Sequence, residues 1–239
     1  MRRNNPPDLL QDAYLAISEL RGLVGKLCEA AAVIHGAGWA EANAGNVSLR
    51  ISDLIQPFWL AAGYASQCTC SEWFLVSRSG SRYREMAKNP LEALMLIGIG
   101  TKQHFFPKAA KPTSEWDCHY KLHQLHTGRG LNCLLHTHPT EIIALSSTKA
   151  YQNQDTLNAT LFSLLPELSI FLPAGIATAP FAEAGSSQLA ETSRVCMNDK
   201  QVLIWEKHGL IALAEDPDKA LDYTEVVNKA AKLYFLLNR

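Results

Sequence analysis

The chain has 239 residues, 47% of them hydrophobic and 19% charged. That is apolar enough for a sizeable core and too weakly charged for a disordered chain. Lys and Arg number 22 against 23 Asp and Glu, a formal net charge of -1, which argues against a nucleic-acid binder with its usual basic excess. The longest apolar run, residues 91–100, contains Glu92 and falls well short of the ~20 residues that span a bilayer. The polar, Pro-containing start MRRNNPPDLLQ lacks the basic-then-apolar order of a secretory signal. The six cysteines, Cys28, Cys68, Cys70, Cys118, Cys133 and Cys196, are dispersed. The expectation is a reduced, cytoplasmic protein that contacts no membrane. Cys68-x-Cys70 has no second pair at zinc-finger spacing and reads as ordinary thiols.

In chain order, Leu20, Val24, Leu27, Ala31 and Ile34 recur at helical spacing and predict one long helix over 8–37, preceded by Pro6-Pro7 and ended by Gly36 and Gly38. A Gly/Asn loop, Asn43-Ala-Gly45-Asn46, leads to an alternating strand over 47–51. Residues 52–72, with Pro57 and Gly63, read as an irregular excursion. Strands follow at 73–76 and 95–99. Pro112-Thr113-Ser114-Glu115 starts a helix through about His126. A strand at 133–138 ends in His136-Thr137-His138, and a helix occupies 139–147. Strand candidates lie at 170–172 and 202–205. Asp216-Pro217 opens a C-terminal helix to about Leu237. No linker, repeat or low-complexity tract divides the chain, so residues 1–239 are expected to form one α/β domain.

In a strand, residues i and i+2 share a face, so His136 and His138 can reach one ion. His208 follows a second strand and precedes Gly209. Three neutral imidazoles with an open position suit a catalytic Zn²⁺. The alternative is strand-end histidines bonded to backbone. Glu115 is either a first-turn carboxylate favouring the helix dipole or, beside a metal, a ligand or general base. The turns Asn43-Ala-Gly45-Asn46 and Ser77-Arg78-Ser79-Gly80 offer amides and small polar side chains. Such turns cradle phosphate and also occur as plain turns.

These segments, in this order, resemble the zinc-dependent class II sugar-phosphate aldolases of the aldolase/adducin superfamily. The resemblance rests on Gly38-Trp39…Gly45-Asn46-Val-Ser-Leu-Arg50, Phe74-Leu-Val-Ser-Arg-Ser79-Gly80, Pro112-Thr-Ser-Glu115, His136-Thr-His138-Pro and Lys207-His208-Gly209, and spans about residues 12–237. Asn43-Ala-Gly45-Asn46 and Thr113-Ser114-Glu115 are closer to the rhamnulose-phosphate branch than to the fuculose-phosphate branch. Ser77-Arg78-Ser79 departs from the more usual Thr-Gly-Ser.

The resemblance implies a three-layer α/β/α fold around a mostly antiparallel sheet, and a homotetramer with active sites at subunit boundaries. It implies cleavage of a sugar phosphate, L-rhamnulose 1-phosphate in that branch, to dihydroxyacetone phosphate and L-lactaldehyde. Zn²⁺ would be held by His136, His138 and His208. Glu115 would be the acid–base residue. Asn43, Gly45, Asn46, Ser79, Gly80, Thr113 and Ser114 would bind the phosphate. Glu167, ahead of the expected strand at 170–172, would be a second acidic residue presented to a neighbouring subunit's site. Fuculose-phosphate aldolases, sugar-phosphate 4-epimerases and a dehydratase of the same superfamily are the alternatives. More remote are a non-catalytic adducin-like interaction module and a zinc hydrolase.

Overall fold

The computed structural model of the chain describes residues 8–64 and 69–238. Cys68 and Pro6-Pro7 lie outside the described residues. The expected N-terminal helix is two helices, α1 (Leu9–Ala16) and α2 (Ser18–Gly36). Ile17 between them is extended, at φ -107° and ψ 110°, so the helical register breaks there. The apolar stripe of α2, Leu20, Val24, Leu27, Ala31 and Ile34, is fully buried as its spacing demands.

The remaining elements are β1 (Asn46–Arg50), α3 (Ser52–Ala61), β2 (Cys70–Ser77), α4 (Tyr83–Met86), α5 (Pro90–Ala93), β3 (Leu94–Gly100), β4 (Gln103–Phe106), α6 (Trp116–Leu125) and β5 (Cys133–Thr137). They continue with α7 (Thr140–Leu145), α8 (Gln154–Leu164), α9 (Leu168–Phe171), β6 (Ile176–Ala179), α10 (Ser187–Met197), β7 (Val202–Trp205), β8 (Gly209–Ala214) and α11 (Pro217–Leu237). Asp216 caps α11 by accepting from the Lys219 amide at 3.0 Å.

Two further expectations fail. The stretch read as irregular carries α3, which tolerates Pro57 and buries Ile55 and Trp59. Residues 170–172 are not a strand: Leu168–Phe171 is a helical turn with Ile170 exposed and Leu168 buried, a one-sided burial that a short apolar run does not reveal. The strands β4, β6 and β8 and the helices α8 and α10 carry no clear sequence signal.

The strands form one sheet in the order β4-β3-β2-β1-β5-β8-β7-β6. All neighbours are antiparallel except β6 and β7. Alternation along the strands separates two cores. Val47, Leu49, Leu75, Leu135, Ile204 and Leu210 pack toward α2 and α11. Leu134, Leu203, Trp205 and Ile211 pack toward Cys118 and Leu122 of α6 and Leu189 and Met197 of α10. The result is the three-layer, mostly antiparallel arrangement expected. It brings the start of β1, the end of β5 and the β7–β8 turn side by side, because β1 pairs β5 (Asn46 opposite His136) and β5 pairs β8. No helix among the described residues is long and apolar enough to cross a membrane.

Candidate active site

The expected strand over 133–138 ends at Thr137, so His136 stands among the last paired residues of β5, His138 just beyond it, and His208 in the short turn between β7 and β8. That turn is tight. Lys207 adopts φ +57°, and its amide is held by the Ser146 hydroxyl at 2.7 Å. Gly209 admits no larger residue, since a Cβ there would strike the Thr137 carbonyl and the His138 ring. Trp205 stacks on His208 at 4.8 Å between ring centroids, fixing that imidazole from behind.

Second partners define the histidine tautomers. His136 Nδ1 donates to the Leu210 carbonyl at 3.0 Å, and His138 Nδ1 donates to Glu41 Oε1 at 3.0 Å. In the neutral ring each Nε2 therefore carries a lone pair. Burial, reinforced by His138 and His208, holds His136 well below the usual imidazole range; burial brings His208 down to about 4. The two Nε2 atoms of His136 and His138 face each other at 3.0 Å, and one ligand atom from each of the three histidines lies within 4.8 Å of the others. Lone pairs converging with no proton between them make a cation site. This donor set fits a divalent metal that accepts nitrogen ligands.

Glu115 is the N-cap residue of α6, yet its side chain caps nothing. It turns inward instead and is only 5% exposed. Its Oε1 lies 3.4 Å from His208 Nε2 and its Oε2 3.5 Å from His136 Nε2. The Asn46 amide donates to Oε2 at 2.8 Å. Burial raises the Glu115 pKa and the Asn46 hydrogen bond opposes the rise.

The polar turns close the other side. Gly45 adopts φ +74° with its α-carbon against the His136 carbonyl and the Tyr83 ring. The Tyr83 hydroxyl donates toward the carbonyls of Asn46 and His136, at 2.7 and 2.9 Å, tying β1 to β5 at this point. The Ser79 amide is consumed by the Lys111 carbonyl at 2.8 Å, which leaves its hydroxyl for a ligand. Every expected site residue except Glu167 lines one cleft of about 190 Å³: Asn43, Gly45, Asn46, Ser79, Gly80, Thr113 and Ser114 at one end, and Glu115, His136, His138 and His208 at the other. Glu167 is exposed at the start of α9 and borders a different surface depression with Phe171 and Asp222.

The sequence of the class II aldolase and adducin N-terminal domain matches residues 25–235. The chain belongs to that family. The rhamnulose-1-phosphate aldolase of Listeria welshimeri is 30% identical to it over 226 residues, covering 87% of this chain and 81% of the relative. That of Bacteroides thetaiotaomicron is 29% identical over 230 residues, covering 88% and 84%. A sugar-phosphate aldolase structure from Thermotoga maritima superposes with TM-score 0.77 at 24% identity, covering 92% of this chain and 97% of that one, and shows the shared fold. With such relatives the chain is a class II aldolase, a carbon–carbon lyase.

Sequence signals miss two participants in this aldolase site, Glu41 and Tyr83, and leave the role of a third, Arg78, open. Glu41 is an exposed loop carboxylate with no motif around it. Tyr83 is recognisable only through Gly45. Arg78 also lines the cleft, and its guanidinium braces the turn by donating to the carbonyls of Leu94 (2.7 Å) and Leu91 (3.1 Å).

Proposed function

We propose that this aldolase is zinc-dependent and cleaves L-rhamnulose 1-phosphate to dihydroxyacetone phosphate and L-lactaldehyde. One observation carries the proposal: the converging nitrogens of His136, His138 and His208 share a cleft with a buried carboxyl group at one end and a turn of small polar residues at the other. The naming of the curated relatives supports the choice of sugar. The three histidines would hold Zn²⁺, which would supply Lewis-acid stabilisation of the negative charge developing on the ketose oxygens as the carbon–carbon bond breaks.

The chain's own residues do the rest. Ser79, Thr113, Ser114, Asn43, Asn46 and the backbone at Gly45 and Gly80 hold the phosphate, which places the reacting carbons over Glu115. Glu115 gives a proton to the carbon that leaves as the nucleophilic half, and removes it in the synthetic direction. Asn46 holds the carboxyl group in place between these two functions. Glu167, which lies away from the cleft of its own chain, would serve a neighbouring subunit's cleft in a cytoplasmic homotetramer, the role the family resemblance implies for it.

The test combines metal analysis with dihydroxyacetone phosphate release from rhamnulose and fuculose 1-phosphates. Glu115→Gln is expected to keep zinc and lose about 10²–10⁴-fold in turnover; undiminished turnover removes it from the chemistry. His208→Ala is expected to abolish zinc binding, and one ion per chain at full occupancy in that variant refutes the ligand set. Preference for the fuculose ester would overturn the choice of sugar alone.

A further inference from the structure

Glu41 lies on the loop entering β1, two residues before Asn43 of the proposed phosphate turn. Its Oε1 meets His138 Nδ1 at 3.0 Å, although its side chain is 66% exposed. The loop has a second tie to the same residue, because the His138 amide donates to the Trp39 carbonyl at 2.7 Å. Between Glu41 and Asn43, Ala42 adopts φ +48°, a conformation L residues rarely take, and the Ala44 amide closes the turn on the Glu41 carbonyl at 2.8 Å. Asn43 and Glu41 thus belong to one closed turn, and that turn also contacts the His138 ring.

His136 needs no such help. Its Nδ1 partner is a backbone carbonyl of β8 within the sheet, and its ring is buried. His138 stands at the strand end and takes its orientation from a loop side chain. A carboxylate accepting from Nδ1–H fixes the tautomer that leaves Nε2 free to bind a metal.

We propose that Glu41 is a positioning residue that couples the two ends of the cleft: it orients His138 toward the metal and, through the turn it shares with Asn43, makes phosphate binding and metal binding reinforce each other. The inference rests on the assignment of the histidine cluster as the metal site. Loss of such a partner typically weakens metal binding 10–100-fold. The exposure of Glu41 screens its charge, so the hydrogen bond dominates and the loss is expected at the lower end, about tenfold. Coupling is reciprocal, so phosphate must tighten zinc binding by the same factor by which zinc tightens phosphate binding.

The experiment measures zinc affinity of the full chain by chelator competition, with and without inorganic phosphate, for wild type, His208→Ala, Glu41→Ala and Glu41→Gln. The melting temperature of each zinc-free protein is recorded alongside. Glu41→Ala should bind zinc about tenfold more weakly, lose the tightening by phosphate, and melt with the wild type. Glu41→Gln keeps an oxygen acceptor and should recover most of both effects, which a merely structural role would not produce. If Glu41→Ala matches the wild type in zinc affinity and in its response to phosphate, the inference is overturned alone. If Glu41→Gln is as weak as Glu41→Ala, the orienting hydrogen bond is overturned. If the wild type takes up no zinc, or His208→Ala takes up as much, the metal assignment itself is refuted and the inference with it.

Discussion

Gly45→Ala tests how the cleft is built. The substitution asks a non-glycine residue to hold φ +74° and places a Cβ 2.7 Å from the His136 carbonyl and 2.8 Å from Tyr83 Cε2. The carbonyl cannot retreat, because β5 is held between β1 and β8. The Tyr83 ring must move instead, although it is buried and its hydroxyl serves the carbonyls of Asn46 and His136. The left-handed conformation costs roughly 1–2 kcal/mol. Forcing extra volume into a filled site adds about 1–3 kcal/mol, and losing the tyrosine hydrogen bond adds about 1 kcal/mol. The total is about 3–6 kcal/mol. Gly80 provides the control: it has φ +79° with nothing within 4 Å of a Cβ, so Gly80→Ala should cost only roughly 1–2 kcal/mol. Urea denaturation of the two zinc-free variants measures the difference. Equal losses would refute the claim that Tyr83 and the His136 carbonyl are packed against Gly45.

Three other outcomes are expected. Asn46→Ala removes the hydrogen bond that opposes the burial-driven rise of the Glu115 pKa, so the Glu115 limb of the pH–rate profile should move to higher pH; an unmoved limb excludes Glu115 as its source. His119 and His126 are held by burial down to about 3 and about 4, and burial likewise holds His123 well below the usual range. Their contribution to stability is complete above the unfolded-state value near 6.5 and is lost as pH falls toward the folded values. His119 alone accounts for about 3 kcal/mol by pH 4, so denaturation midpoints should fall between pH 6.5 and 4, and flat midpoints would refute the neutral buried state. Arg78→Met removes the brace behind the Ser79-Gly80 turn and should raise KM for the sugar phosphate about fivefold, the equivalent of one net hydrogen bond, with zinc content intact. A change confined to kcat would contradict a bracing role.

The parts of the site readable in the sequence are those whose chemistry is local. An H-x-H pair at a strand end needs only the two-residue period to share a face. Gly45 and Gly80 announce turns because other residues resist their φ values. The helices α2 and α11 are long enough for their apolar stripes to repeat several times. What stayed hidden depends on distant partners. Glu41 is an ordinary loop carboxylate until folding sets it beside a histidine 97 positions away. The edge strand β4 buries little of itself and so shows no alternation. Residues 168–171 offered an apolar run too short to distinguish a strand from a helical turn, and Pro57 masked a helix whose buried face is formed by Ile55 and Trp59.

The pairing of β1 with β5 and of β5 with β8 has a kinetic consequence. The ends of the cleft come from residues near 46, 115, 136 and 208, and they meet only after long loops have closed and the middle of the sheet has registered. The histidine cluster is therefore expected to assemble late in folding. An ion bound there would then stabilise an arrangement formed after the folding transition state. It should lengthen the lifetime of the folded chain against unfolding while leaving the rate of folding nearly unchanged.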